Sequence, residues 1–118
     1  MIPIGDTTEA VIDLAGRARA RETGTAWAYG GPDLNANLLV FDDGDGVGEH
    51  VNGEVEVLLV GVLGEGEVAM DGHRHRLAAG QALVIPKGTR RAIRSTGARF
   101  AYLTCHRRRG GLWPGGVA

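Results

Sequence analysis

The stretch Gly80–Arg94, GQALVIPKGTRRAIR, contains the pattern that decides the fold. Pro86 has no backbone N–H to donate to a strand ladder, so it ends the apolar run that precedes it. Gly88 permits a tight turn into the next run, because glycine adopts positive φ without a steric penalty. The stretch therefore predicts two short strands, Ala82–Ile85 and Arg90–Arg94, joined by a turn.

Short apolar runs separated by turn signals continue over most of the chain. The dipeptide Asp71-Gly72 lies between two such runs and favours the type I′ turn of a two-residue hairpin. The predicted strands are Thr25–Tyr29, Leu34–Phe41, Gly48–Asn52, Val55–Leu63, Glu65–Met70, His73–Leu77, Ala82–Ile85, Arg90–Arg94 and Phe100–Cys105. Many short strands at a spacing of about 8–12 residues predict an all-β chain, folded as a sandwich or a barrel.

One segment before the strands has helical spacing instead. Apolar residues recur three to four positions apart along Asp6–Arg21, with charged residues on the opposite side. Asp6 and Glu9 fit a capping box, which satisfies backbone donors at a helix start. We therefore predict one helix over residues 6–21, packed on the outside of a sheet. Residues 1–118 are expected to form a single domain, with the barrel over about residues 25–106.

The composition excludes several classes of protein. The chain has 118 residues, of which 43% are hydrophobic, enough for one core and too many for a disordered chain. No apolar run approaches the roughly 18 residues of a membrane helix, so no membrane partner is expected. No signal peptide is expected either, because the start has no cationic region followed by a long apolar one. Cys105 is the only cysteine, which excludes an intramolecular disulfide and a cysteine-built zinc site and favours the cytoplasm.

The charges are distributed unevenly although the net charge is only -1. All 14 acidic residues lie between Asp6 and Asp71, and the rest of the chain contributes nine Arg and one Lys. Most of these late cations alternate with strand-forming residues, which favours pairing with the early acids in the folded state. Only Arg107–Arg109 forms a run, without an interleaved aromatic residue, so no nucleic-acid partner is expected.

Two spaced motifs indicate where the chemistry lies. In the second motif, five residues separate Gly80 from Pro86, one residue separates Pro86 from Gly88, and two residues separate Gly88 from Arg91. Ser95 stands four positions further on. In the first motif, Gly44 is followed after five residues by His50, a residue and Asn52.

With these motifs, the chain from about Leu34 to Cys105 resembles the cupins, small jelly-roll barrels that hold a metal between the two motifs. The resemblance implies an antiparallel jelly-roll β-barrel with one N-terminal helix. The family has a metal-binding His at the position of Arg91, a second His at that of Asn52, and Asn at that of Ser95.

The position of the family's glutamate depends on the direction of counting. Counting forward from Asn52 gives Glu56, whereas counting back from Gly64 gives Val57. A one-residue shift in a strand reverses the face of every side chain. We expect Glu56 to face inward and to neutralise Arg91, with a small bulge absorbing the extra residue. The alternative is that Val57 lines the barrel.

The first functional hypothesis is a metal-free barrel that binds a small molecule. His50, Asn52, Glu56 and Arg91 would form a hydrogen-bonded cluster in the interior. Arg91 would pair with Glu56 or with a ligand carboxylate through its two-pronged guanidinium. Asn37 shares a strand face with a second asparagine, and this face is either solvated or part of the polar pocket.

The second hypothesis is a metal-dependent enzyme of the dioxygenase, isomerase or decarboxylase type, as the resemblance implies for many cupins. His50, Glu56 and His106 would then hold iron, zinc, nickel or manganese. The first hypothesis is preferred, because Arg91 stays protonated and cannot ligate a metal, and Asn52 is a weak oxygen ligand.

Association with a second copy is also expected. Leu58–Val60 is apolar on both strand faces, but a barrel strand has only one inward face. Either the N-terminal helix or a second copy must cover the outward face, and we expect a two-fold homodimer.

Overall fold

The structure, a computed structural model, describes residues 10–108. It contains one helix, α1 (Leu14–Ala20), and nine strands. The strands are β1 (Gly24–Gly30), β2 (Leu34–Asp42), β3 (Gly46–Val51), β4 (Val57–Leu63), β5 (Glu65–Met70), β6 (His73–Ala78), β7 (Ala82–Ile85), β8 (Arg90–Ser95) and β9 (Arg99–Arg107). Each predicted strand is present, and β5 and β7 have the predicted bounds.

The strands form two antiparallel sheets that pack face to face. The five-stranded sheet has the order β1-β2-β9-β4-β7, and the four-stranded sheet has the order β3-β8-β5-β6. Leu59 and Tyr102 of the first sheet share a buried cluster with Val68 and Ile93 of the second. This arrangement is the all-β jelly roll that the sequence predicted.

The backbone conformations of two turns follow from the residues that form them. Asp71 and Gly72 both have positive φ, 49° and 84°, as a type I′ hairpin turn requires. The turn after Pro86 is closed by a hydrogen bond from the Thr89 N–H to the Pro86 carbonyl, at 3.2 Å, and Gly88 has φ of 83°. Local sequence therefore determines both the β5–β6 hairpin turn and the turn that leads from β7 in one sheet to β8 in the other.

The helix is shorter than predicted, because it begins at Leu14. Asp13 has extended backbone angles and caps the helix, its carboxylate accepting from the Gly16 N–H at 3.0 Å. The expected capping box at residues 6 and 9 lies outside the described residues. At the other end, the Arg99 guanidinium donates to the carbonyl of Ala18, at 3.1 Å, and this cation complements the helix dipole. Within residues 10–108, no helix is both long and apolar enough to cross a membrane.

The helix covers part of the outer face of the five-stranded sheet. Ala18 is fully buried against Leu38, Val40 and Ala101, which form a second apolar cluster. The jelly roll thus has an inner core between the sheets and a smaller outer core under α1.

The late arginines lie beside the early acids, on the outer face of the four-stranded sheet. Glu67 lies 3.2 Å from Arg94 and 4.0 Å from Arg74, each distance joining a guanidinium nitrogen to a carboxylate oxygen. Arg76 pairs with Glu65, and Arg90 pairs with Glu49 at 3.7 Å. The uneven charge along the sequence therefore becomes a ladder of ion pairs in the fold.

Candidate functional site: the polar end of the barrel

The inward faces of both sheets change from apolar to polar toward one end of the barrel. The other end is closed, because Gly66 packs so tightly on the Phe100 ring that a Cβ there would overlap it. Ser95 pairs with Gly66 in the ladder, and a short turn then leads from β8 into β9. Residues at the start of β8 and the end of β9 therefore share the opposite, open end.

Four polar residues of the five-stranded sheet lie toward the open end. On β2 the inward side passes from Phe41 and Leu39, which pack on the inner core, to two asparagines. The corresponding side of β9 passes from Phe100 and Tyr102 to a threonine and a histidine. The ladder pairs these polar residues directly, Asn37 with Thr104 and Asn35 with His106. Asn37 thus lies on the same side of β2 as Leu39 and Phe41, which pack on the inner core.

Arg91 is the charged side chain that the four-stranded sheet contributes to this end. It is only 5% exposed and lies two residues before Ile93 of the inner core. The β3–β8 ladder places His50 directly opposite it. The Arg91 Nε–H donates a hydrogen bond to His50 Nε2 at 3.1 Å. The motif histidine and the arginine that replaces a motif histidine are therefore in direct contact.

This contact fixes the tautomer of His50. A guanidinium N–H can only donate, so His50 Nε2 must present its lone pair to Arg91. The proton of the neutral ring is then on Nδ1, which donates to the Gly48 carbonyl at 2.9 Å. Both ring nitrogens are thereby committed to the protein, and the lone pair that would ligate a metal is directed at a cation.

The described residues do not fit the metal that the fold family implies. No group of three or more His, Cys, Asp or Glu side chains within residues 10–108 is arranged to hold a metal ion. A fixed guanidinium charge next to His50 would also repel a cation at that position.

Asn52 stabilises the turn between β3 and β4. Its Oδ1 accepts from the backbone N–H groups of Glu54 and Val55, at 2.9 and 3.3 Å. Its backbone carbonyl accepts from Gly88 N–H at 2.7 Å, which connects the turns of the two motifs. Its Nδ2 is buried and has no hydrogen-bond partner among the described residues.

The expectation that Glu56 faces inward is wrong. Glu56 is exposed and precedes β4, whereas Val57 opens the strand, pairs with Ile85 and is only 5% exposed. Burying an apolar side chain at this position is favourable, but burying a carboxylate would require its desolvation. The expected ion pair between Glu56 and Arg91 is replaced by the contact of Arg91 with His50.

Glu56 and His106 instead line a groove of about 460 Å³ at the end of the five-stranded sheet. Leu58, Val84 and Cys105 also line it, and they lie on the sheet's outer face. His106 Nδ1 lies 2.8 Å from the Arg107 carbonyl. His50, Glu56 and His106, the proposed metal set, are not among any group of described residues arranged to hold a metal ion. Burial raises the pKa of the Cys105 thiol, which disfavours a nucleophilic role for it.

Sequence reasoning missed Tyr102. Its side chain is fully buried, its ring packs against Phe41 and Phe100 with centroids 6.0 and 5.3 Å away, and its hydroxyl has no hydrogen-bond partner among the described residues. Burial raises the pKa of this hydroxyl, so it remains a protonated donor. Strand alternation could have identified it, because Tyr102 shares a face with Thr104 on β9.

The chain belongs to the cupin family, since the family model described as Cupin domain matches residues 37–106. No functionally curated protein matches the sequence.

Among solved structures, the BH2720 protein of Bacillus halodurans is similar with a TM-score of 0.75 and 17% identity, over 86% of this chain and 83% of that chain. KdgF from a Halomonas species is similar with a TM-score of 0.64 and 26% identity, over 70% and 74% of the two chains. A predicted oxalate decarboxylase from Thermotoga maritima has a TM-score of 0.59 and 20% identity, over 62% and 64%. These likenesses agree with the jelly-roll fold.

Proposed function

We propose that this cupin binds a small carboxylate at the polar end of its barrel, without a metal. The observation that carries the proposal is the hydrogen bond from Arg91 Nε to His50 Nε2. Arg91 is a permanent cation at a position where the family's motif has a metal ligand. Its hydrogen bond also occupies the lone pair of His50 Nε2, with which the retained motif histidine would ligate a metal. The positive charge that a metal supplies in the family is here supplied by the guanidinium.

A carboxylate suits this site for a chemical reason. Guanidinium binds carboxylates through parallel, charge-assisted hydrogen bonds, and burial makes such bonds stronger than they are in water. His50 fixes the direction of Nε, so the terminal nitrogens of Arg91 are positioned in advance. Preorganisation of this kind lowers the entropy that a ligand must lose on binding.

Neutral polar groups also lie toward this end of the barrel. Asn37 and Thr104 pair on the inward face of the opposite sheet, and the Asn52 amide has a buried Nδ2–H. Tyr102 contributes its hydroxyl from the adjoining inner core. We propose that these groups recognise the uncharged part of the ligand, whereas Arg91 binds its carboxylate.

The test compares acids with their amides. Binding of succinate and benzoate, and of succinamide and benzamide, is measured by calorimetry on untagged protein. Wild type should bind an acid and discriminate against its amide. Arg91→Gln should weaken acid binding about tenfold or more, since hydrogen bonds to charged groups contribute about 1.5–3 kcal/mol each.

Arg94→Gln is the matched control, because Arg94 lies on the same strand but is exposed on the outer face and paired with Glu67. This variant should bind the acid as wild type does. Equal binding of acids and amides, no binding of either acid at millimolar concentration, or unchanged binding by Arg91→Gln contradicts the proposal. Stoichiometric metal in the untagged protein, found by elemental analysis, contradicts its metal-free part.

A further inference from the structure

One row of residues in the four-stranded sheet crosses the open end of the barrel. Met70 on β5 pairs with Arg91 on β8 at one side and with His73 on β6 at the other. His50 on β3 pairs with Arg91 in turn. We call these four residues the inward row. Residues that pair directly in an antiparallel ladder share a face of the sheet, so the four side chains lie on one face.

The inner core identifies this face as the inward one. Met70 itself packs against the inner core. His73 lies four positions before Leu77, which belongs to that core, and strand alternation places both residues on the same side of β6. His73 is exposed, and β6 is the edge strand of its sheet. The imidazole therefore lies at the rim of the open end, where a ligand can reach it.

The hairpin that carries His73 is hydrogen-bonded to β8. The Asp71 N–H donates to the Arg90 carbonyl at 2.8 Å, and the Arg90 N–H donates to the Asp71 carboxylate at 3.0 Å. These two bonds join the tip of the β5–β6 hairpin to the strand that contains Arg91. The backbone positions of Arg91 and His73 are therefore fixed relative to each other, and such preorganisation reduces the entropy lost when one ligand binds both.

The two faces of this sheet differ in charge. The acidic residues of its strands are Glu49, Glu65 and Glu67, and all three pair with arginines on the outer face. The inward row instead contains one guanidinium, two imidazoles and no carboxylate. A guanidinium can only donate hydrogen bonds, and an imidazole has an N–H donor in both its neutral and its protonated form. The polar groups of the inward row are therefore suited to anions.

The spacing of the inward row indicates how far apart two bound anionic groups would lie. Arg91 and His73 are two strand spacings apart, which corresponds to about 9.5 Å between their Cα atoms. The hydrogen bond to His50 draws the Arg91 guanidinium toward β3, away from His73. Met70 lies between the two, and its unbranched apolar side chain can pack against a flexible carbon chain. One small carboxylate therefore cannot contact both ends of the row.

We propose that the inward row makes the carboxylate site selective for a long dicarboxylate. One carboxylate binds Arg91, the carbon chain lies over Met70, and the second carboxylate accepts a hydrogen bond from His73. Suberate, whose carboxylates are separated by six methylene groups, is long enough to span the row, whereas succinate, with two, is too short. This inference rests on the proposed carboxylate site and names the class of its ligand.

The test compares suberate with octanoate, which has the same number of carbon atoms but only one carboxylate, by calorimetry. Wild type should bind suberate about fivefold more tightly, as expected for a charge-assisted contact with an exposed side chain. His73→Ala should lower the suberate affinity to that of octanoate and leave octanoate binding unchanged. His73→Glu should bind suberate more weakly than octanoate, because like charges repel.

His75→Ala is the matched control. His75 is an exposed histidine on the same side of β6, but it pairs with Val68 of the inner core, one row further from the open end. This variant should keep the wild-type preference for suberate. Equal binding of the two acids by wild type, or a preference that survives in His73→Ala, overturns the inference; the carboxylate site stands if Arg91→Gln still weakens binding of both acids. No binding of either acid overturns the carboxylate site and this inference with it.

Discussion

Replacing Tyr102 by Phe should stabilise the fold. The hydroxyl is buried in the inner core without a partner among the described residues. An unsatisfied buried polar group costs about 1–3 kcal/mol, and removing the oxygen changes the volume of the side chain little. The ring contacts with Phe41 and Phe100 are retained by a phenyl ring. We expect the free energy of unfolding to rise by about 1 kcal/mol, which raises Tm by about 4 °C for a domain of this size.

Urea unfolding followed by circular dichroism measures the change in the free energy of unfolding. An unchanged m-value shows that the substitution changes only the stability. Tyr29→Phe is the matched control, because Tyr29 is only partly buried and lies on β1 at the outer face. Its unfolding free energy should change by less than about 0.5 kcal/mol. A Tyr102→Phe variant less stable than wild type would refute the reasoning, since it would mean that the hydroxyl is hydrogen-bonded in the folded protein.

The remaining predictions concern the turns and the register. Asn52→Ala should lower the unfolding free energy by about 1–2 kcal/mol, because two backbone N–H groups lose their acceptor, whereas Asn52→Asp should lose less; urea titration distinguishes the two. Val57→Glu should lower the unfolding free energy by more than about 3 kcal/mol in the same assay, because it buries an unpaired carboxylate. Glu56→Val should leave the unfolding free energy nearly unchanged. Equal losses in the two variants would contradict the register of β4. Asp13→Ala should cost about 1 kcal/mol by removing the helix cap, and no measurable loss would show that Asp13 does not cap the helix.

The sequence alone determined the strands and their turns, because these depend on neighbouring residues. Positive φ at Gly72 and Gly88 is a local property, and the predicted bounds of β5 and β7 are those of the structure. The number and spacing of the runs then predicted an all-β sandwich or barrel. The charge pattern also indicated that the late arginines would pair within the fold, which they do on the four-stranded sheet.

The register of β4 could not be determined from the sequence. Leu58, Leu59 and Val60 are apolar on both faces, so hydrophobicity does not distinguish the inward side. Pairing of Val57 with Ile85 on β7 decides it, and this pairing depends on how the whole sheet assembles. The helix start was misplaced for a related reason, since the cap at Asp13 is visible only in the backbone angles at that residue.

The candidate site, too, was predicted in part from the sequence and decided in part by the tertiary structure. Motif spacing identified His50 and Arg91 as a histidine kept and a histidine replaced, but it assigned Arg91 the wrong partner. The two residues are 41 positions apart, and only the β3–β8 ladder makes them neighbours. Only the tertiary structure therefore decided that the Arg91 guanidinium donates to the His50 imidazole. Turns depend on the residues that form them, whereas hydrogen bonds between distant segments depend on which strands pair.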